Sequence, residues 1–235
     1  MTASRGKRRL LVLLCLFGFV LFSALGIWQV ERRAWKLGLI ARVDARINAP
    51  VVVAPARSDW AKINVHDDEY RRVRAVGIYL HGRETLVDAL TERGAGFWVV
   101  TPFRTRDGTI LINRGFVPPE RKAVRTRASG QPPGEVAVTG LLRMSEPKGR
   151  ILRPNRPAED RWYSRDVAAI AKARGLRNVA PFFIDADATP NAGGYPVGGM
   201  TVVSFRNMHL VYALTWFGLA ALCLAGLVVL FRREP

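Results

Sequence analysis

Near its C-terminus the chain reads RNMHLVYALTWFGLAALCLAGLVVLFRR, an apolar run long enough to cross a bilayer, with a histidine at its mouth. An ionisable group in that position either belongs to the solvated interface or has a function. With Asn207 as the expected N-cap, His209 takes the second helical position, where the helix dipole and partial desolvation both favour a neutral imidazole. The neutral ring is the form that ligates metal. Tyr212 and Trp216 follow at three and seven residues, on the same expected helix face, and Arg206 stands one turn earlier. An axial imidazole, an aromatic wall and a guanidinium suit the iron, macrocycle and propionates of a haem. The same residues also read as an interfacial histidine hydrogen-bonded to lipid or to the first helix near Gln29. Met208 is about 100° around the helix from His209 and makes a poor second iron ligand.

The elements that must position this group follow from hydropathy and charge. Residues 10–28 are uncharged and apolar, and residues 210–231 are uncharged over about 33 Å of helix at 1.5 Å per residue. Two transmembrane helices are therefore expected. The first has a basic lead like a secretory signal. Its apolar run is too long for one, and residues 23–26 make a poor cleavage site, so an uncut anchor is expected. Arg5, Lys7, Arg8 and Arg9 before the first span, with Arg232 and Arg233 after the second, put both termini in the cytoplasm and the intervening domain outside.

The expected organisation is a cytoplasmic tail (1–9), a first span (10–30), an exported β-rich domain (31–206), a second span (207–231) and a short tail (232–235). Residues 31–48 prolong the first span as an amphipathic helix, because Trp28, Arg32, Trp35 and Leu39 keep helical spacing until Pro50. The fold class is thus a membrane protein with two α-helices flanking one antiparallel β-rich α+β domain, sandwich or barrel-like. Strands are expected at residues 70–80, 136–143, 181–185 and 201–205. GFWVVTPFRT and TILINRGFV form a hairpin around Arg106-Asp107-Gly108, whose Asp-Gly pair supplies positive φ. A short helix is expected at residues 164–173 with Ser164 as its N-cap.

Composition narrows the partners. The chain has 36 Lys and Arg against 19 Asp and Glu, net +17, and most of that excess lies in the exported domain. Such a surface suits anionic lipid head groups, acidic protein faces or carboxylates; outside the cell no nucleic acid partner is expected. Cys15 and Cys223 both fall in the spans, so the domain has no disulfide framework. No G-x-S-x-G, H-E-x-x-H, P-loop or G-x-G-x-x-G signature is present, and His66 and His81 are too few for a His-rich metal site. No enzyme is indicated. His66 beside Asp67, Asp68 and Glu69 reads as a polar loop. Arg114-Gly115 admits close approach by a ligand or a backbone. Trp28 and Trp35 fit either a flat ligand or an aromatic belt.

Several blocks carry a family resemblance. GIWQVERRAWK, with Gly26, Trp28, Gln29, Arg32, Trp35 and Lys36, is similar to the G-x-W-Q-x-x-R-x-x-W-K pattern of the surfeit locus protein 1 family, assembly factors for cytochrome c oxidase. EYRRVRAVG, GFWVVTPF, DGTILINRGFVP, PFFID, GGYP and NMHLVYALTWF resemble its later blocks in order, from residue 26 to about 217. Phe116 stands where that family often has Trp. The resemblance implies a membrane protein in the lipid bilayer, without enzymatic activity, that helps equip cytochrome c oxidase subunit I with haem. It implies haem A as ligand, haem A synthase as donor, and His209 as the second-span histidine implicated in haem binding in bacterial members. Tyr212, Trp216, Trp28 and Arg206 are the expected surroundings of that haem, with His209 as axial ligand to its iron. A scaffold that docks subunit I without haem is the rival reading. Only nine residues precede the first span, too few for a transit peptide, so a bacterial cytoplasmic membrane is expected.

Overall fold

The computed structural model describes residues 2–201, 203, 205 and 207–232, with side chains from Gly6 onward. The chain divides into two compact units: one holds the two ends of the chain, up to Arg42 and from Val203, and the other is Val43–Val202.

In the first unit, helix α1 (Thr2–Ile47) runs without a break, its last residues belonging to the second unit, and helix α4 (His209–Arg232) closes the chain. Both are long and apolar enough to cross a membrane. Large apolar side chains such as Leu13, Phe17, Leu214 and Leu222 are exposed on them. Exposed apolar surface of this extent is unfavourable in water and is the pattern of helices that meet lipid or a partner.

The second unit is built on one seven-stranded sheet. Its strands are β1 (Val52–Val53), β2 (Arg72–Tyr79), β3 (Thr85–Thr91), β4 (Gly94–Thr105), β5 (Gly108–Val117), β6 (Glu135–Met144) and β9 (Val179–Ala186), in the order β1-β2-β6-β9-β5-β4-β3. A further pairing, Ile78 with Arg104 and Tyr79 with Phe103, joins β2 back to β4. Strands β2, β6, β9, β5 and β4 therefore form a closed ring, a five-stranded barrel. The short hairpin β7 (Gly149–Arg150) and β8 (Arg153–Pro154) and the helices α2 (Val65–Asp68) and α3 (Val167–Ala173) complete the unit.

Alternation explains the two cores. Val73, Phe103, Ile110, Ile112, Val138, Leu142, Phe182 and Ile184 come from all five barrel strands and pack together inside. Leu111 and Phe183, one residue out of phase, join Val87, Val100, Trp162 and Ile170 of α3 on the outer face. Strand β5 is thus buried on both faces, which is why it reads as an almost unbroken apolar run.

Four expectations are corrected. The sheet is mixed, because β1 pairs with β2 and β5 with β9 in parallel. The hairpin turn is Arg106-Asp107, and of the Asp-Gly pair only Gly108 has positive φ (+141°). Asp166, not Ser164, caps α3, accepting from the Ala169 amide at 3.0 Å. Ser164 instead donates to the Glu146 carbonyl, so its hydroxyl is already committed. Thr201, Val203 and Phe205 are in no strand, and Val202 and Ser204 lie outside the described residues.

Candidate functional site

Helices α1 and α4 pack antiparallel along a line of small residues. On α4 the covered positions include Ala213, Ala220 and Leu227, spaced by seven, with Trp216 and Cys223 between them. That 3-4 spacing is the pattern of a left-handed helix pair. Gly26 of α1 is needed there: a methyl group at its Cα would sit 2.5 Å from the Phe217 ring. Phe22 stacks on Trp216 with ring centroids 5.7 Å apart and planes 18° from parallel. At the other end, Arg8 Nη2 donates to the Leu230 carbonyl at 2.8 Å, satisfying one of the last carbonyls of α4.

His209 stands at the opposite end of this line, half-buried, as the first residue of α4. The expected Asn207 cap is not formed. Tyr212 N bonds the Met208 carbonyl at 3.2 Å, so Met208 takes the cap position, and Asn207 precedes it, too early to reach the first turn. Asn207 Oδ1 is buried and has no partner among the described residues.

Gln29 of α1 is the partner of His209. Its Oε1 lies 2.8 Å from His209 Nδ1, and Gln29 is only 9% exposed. An amide oxygen can only accept, so Nδ1 is the donor, and in the neutral ring the lone pair is then on Nε2. A ligating histidine is usually prepared in this way, through a hydrogen bond from its second nitrogen that fixes tautomer and ring plane.

The remaining expected residues separate. Trp216 shares the packed line with His209. Tyr212 leaves it and is 53% exposed, because the line leaves His209 by its step of four, to Ala213, and Tyr212 falls beside it. Trp28 is next to Gln29 in sequence, hence about 100° round α1, and is also exposed. Arg206 lies outside the described residues. The Arg32 guanidinium covers the Trp35 ring at 4.1 Å. The sequence reading missed Phe22; its spacing of seven from Gln29 is the signal that finds it.

In the β-rich unit, His66 is exposed and bonded to Asp67 at 2.7 Å, on a single helical turn capped by Asn64. It is a polar surface loop. Gly115 meets backbone: φ is +123°, and Phe116 pairs with Val197. Outside the barrel, the buried Asp185 carboxylate accepts from Asn113 (2.7 Å), Arg143 (3.0 Å), Arg165 (3.0 Å) and Thr201 (2.9 Å). Glu69 and Glu146 complete this network through Arg143 and Arg165. The sequence reading did not find it, although an acidic residue after Phe182, Phe183 and Ile184 marks a buried charge. Among the described residues no cluster of three His, Cys, Asp or Glu could hold a metal ion.

The SURF1 family model matches residues 16–221, which takes in most of α1, the barrel and the first part of α4. Surfeit locus protein 1 of Mus musculus is 41% identical over 214 residues, covering 84% of this chain and 68% of the mouse protein. Surfeit locus protein 1 of Homo sapiens is 39% identical over 215 residues, 84% of this chain and 69% of the human one. The SURF1-like protein of Monosiga brevicollis is 36% identical over 230 residues, 91% and 85% of the two chains. The family-model match runs from the helix that carries Gln29 through the barrel into the helix that carries His209, and on it and these identities the chain belongs to the SURF1 family.

Proposed function

We propose that this protein is an assembly factor for cytochrome c oxidase that holds haem A at His209 between haem A synthase and subunit I. Haem A is cargo here. The observation that carries the reading is the Gln29–His209 hydrogen bond, which leaves Nε2 open at the end of the helix pair. The exposed Tyr212 and Trp28 rings offer apolar area on that end for a macrocycle. One protein donor to iron also fits a hold that must be released. Transfer requires that subunit I bind the haem more tightly than the carrier does.

In this reading both helices cross the bilayer, the termini are cytoplasmic, and the β-rich unit faces the exterior. The bacterial cytoplasmic membrane is part of the same reading; the relatives named above are eukaryotic. The protein performs no chemistry on the haem. Its own groups supply an oriented neutral imidazole and an apolar surface.

The test is expression beside haem A synthase, purification, and a visible spectrum with and without His209→Ala. His209 is half-buried at a helix end, so the variant keeps the helix pair, which circular dichroism checks. Loss of the Soret band is expected. An unchanged spectrum and stoichiometry would refute ligation and leave the haem-free scaffold.

A further inference from the structure

The barrel contains a charge that the fold does not balance. Arg127 meets Glu84 through two hydrogen bonds, and Arg143 and Arg165 meet Asp185. Arg114, only 1% exposed, forms no ion pair among the described residues. Its Nη2 donates to the Gly130 carbonyl and to Asn191 Oδ1, the latter at 3.0 Å, and its guanidinium lies 4.6 Å from the centroid of the Tyr79 ring. Its Nε and Nη1 have no partner among the described residues, nor does the neighbouring Gln131 Nε2. The Tyr79 hydroxyl also favours this guanidinium, yet it brings no negative charge; a buried cation without a counter-charge is unfavourable by itself, and a second charge normally stands opposite it.

Burial pushes the Tyr79 hydroxyl up from its ordinary value, so it stays a neutral phenol and supplies no counter-charge. Glu84 is already neutralised by Arg127. Asp187 lines the same cavity, outside ion-pair distance of Arg114, and its Oδ1 accepts from the Thr189 amide at 3.0 Å.

The cavity beside Arg114 is where the missing partner fits. Its volume is about 480 Å³. Tyr79 ends β2, Val136 and Val138 begin β6, and Ala186 ends β9, so these residues mark one mouth of the barrel. Arg114 is on the inward phase of β5, two residues beyond Ile112, and reaches into that mouth. Pro132, Val136, Val138 and Pro190 give it apolar walls. Barrel mouths with apolar walls and a few converging polar groups are common ligand sites.

We infer that the barrel mouth binds an organic carboxylate, its anionic head on Arg114 Nε and Nη1 with Gln131, and its apolar body against Val136, Val138 and the prolines. A single guanidinium with Asp187 at the rim favours one negative charge over a phosphate dianion. The site is independent of His209.

The probe is 4-fluorobenzoate, followed by fluorine NMR as it is titrated into the full-length protein in lipid nanodiscs, with neutral 4-fluorobenzamide alongside. Saturable broadening of the benzoate alone is expected. Arg114→Gln should weaken it by about thirtyfold or more, the loss seen when one partner of a desolvated charge pair is removed. Ala192→Trp, at the exposed rim, should block the cavity while leaving Arg114 in place, and it carries the test if Arg114→Gln does not fold. Equal binding by the amide, full affinity in either folded variant, or no saturable binding of the benzoate would overturn the proposal. Displacement by sulfate as effective as by unlabelled benzoate would overturn the assignment to organic carboxylates.

Discussion

Replacing Gln29 by Leu isolates the part of the site that the hydrogen bond supplies. Leucine fills a comparable volume and is at home in an apolar helix pair, so the packing around Gly26 and Phe217 is kept. What disappears is the acceptor 2.8 Å from His209 Nδ1. Without that acceptor the ring no longer has a fixed plane, and ordering it on binding costs about 1 kcal/mol. Freeing the ring to choose between two tautomers adds about RT ln 2, ~0.4 kcal/mol. Together these weaken haem binding by about tenfold, the lower end of what loss of an outer hydrogen bond to a ligating histidine produces. Gln29→Glu should act in the opposite sense, because a carboxylate accepts more strongly and makes the imidazole a better donor to iron. The assay is a haem A titration of the three proteins in nanodiscs, read at the Soret band, with His209→Ala as the zero. If Gln29→Leu binds as tightly as the parent while His209→Ala does not bind, the hydrogen bond has no positioning role. If all bind equally, the histidine is not the ligand.

Three further outcomes test the scaffold. Asp185→Asn keeps shape but removes the charge facing Arg143 and Arg165. Breaking such a buried network costs about 3–5 kcal/mol, a fall in Tm on the order of 10 °C by calorimetry; a change near zero would show that the network is idle. Burial alone would raise the Glu146 carboxyl, but the hydrogen bond and charge of Arg165 hold it below its ordinary value of 4.5. A depressed folded-state value means stability that is complete above about pH 5 and is lost as the pH falls through that lower value. Melting curves on the acid side should therefore decline less steeply for Glu146→Gln. Gly115→Ala combines φ +123° with a methyl group overlapping the Val197 carbonyl, so it should break the pairing of Phe116 with Val197 and lower the denaturation midpoint; an unchanged midpoint would contradict the described backbone.

What was legible in the sequence is what is local. The two uncharged runs define the helices, and Asp107-Gly108 between two apolar stretches defines the β4–β5 hairpin. Strand β3 was not legible because its pattern is inverted: Thr85, Val87 and Ala89 are buried, while Leu90 is 79% exposed. The parallel β5–β9 pair and the closure of β2 on β4 join distant residues, which no window of sequence displays. At the site, a histidine at a helix mouth was visible. Its tautomer was not, since that depends on the antiparallel register bringing Gln29 to it from 180 positions away.

That register also separates two roles the polar pair could have. A lone hydrogen bond between helices in lipid averages only about 0.6 kcal/mol. The close approach at Gly26, the stacking of Phe22 on Trp216 and the small residues Ala213 and Ala220 give the helix pair far more contact than that. The Gln29–His209 bond is thus a minor part of what holds α1 to α4. Its effect on the imidazole is of a different kind: in the neutral ring the acceptor places the lone pair on Nε2, and without it the proton can move there. Helix association should therefore be nearly insensitive to Gln29→Leu while ligand affinity is not. A strong effect on association would mean that the pair serves packing, and the haem reading would lose the observation it rests on.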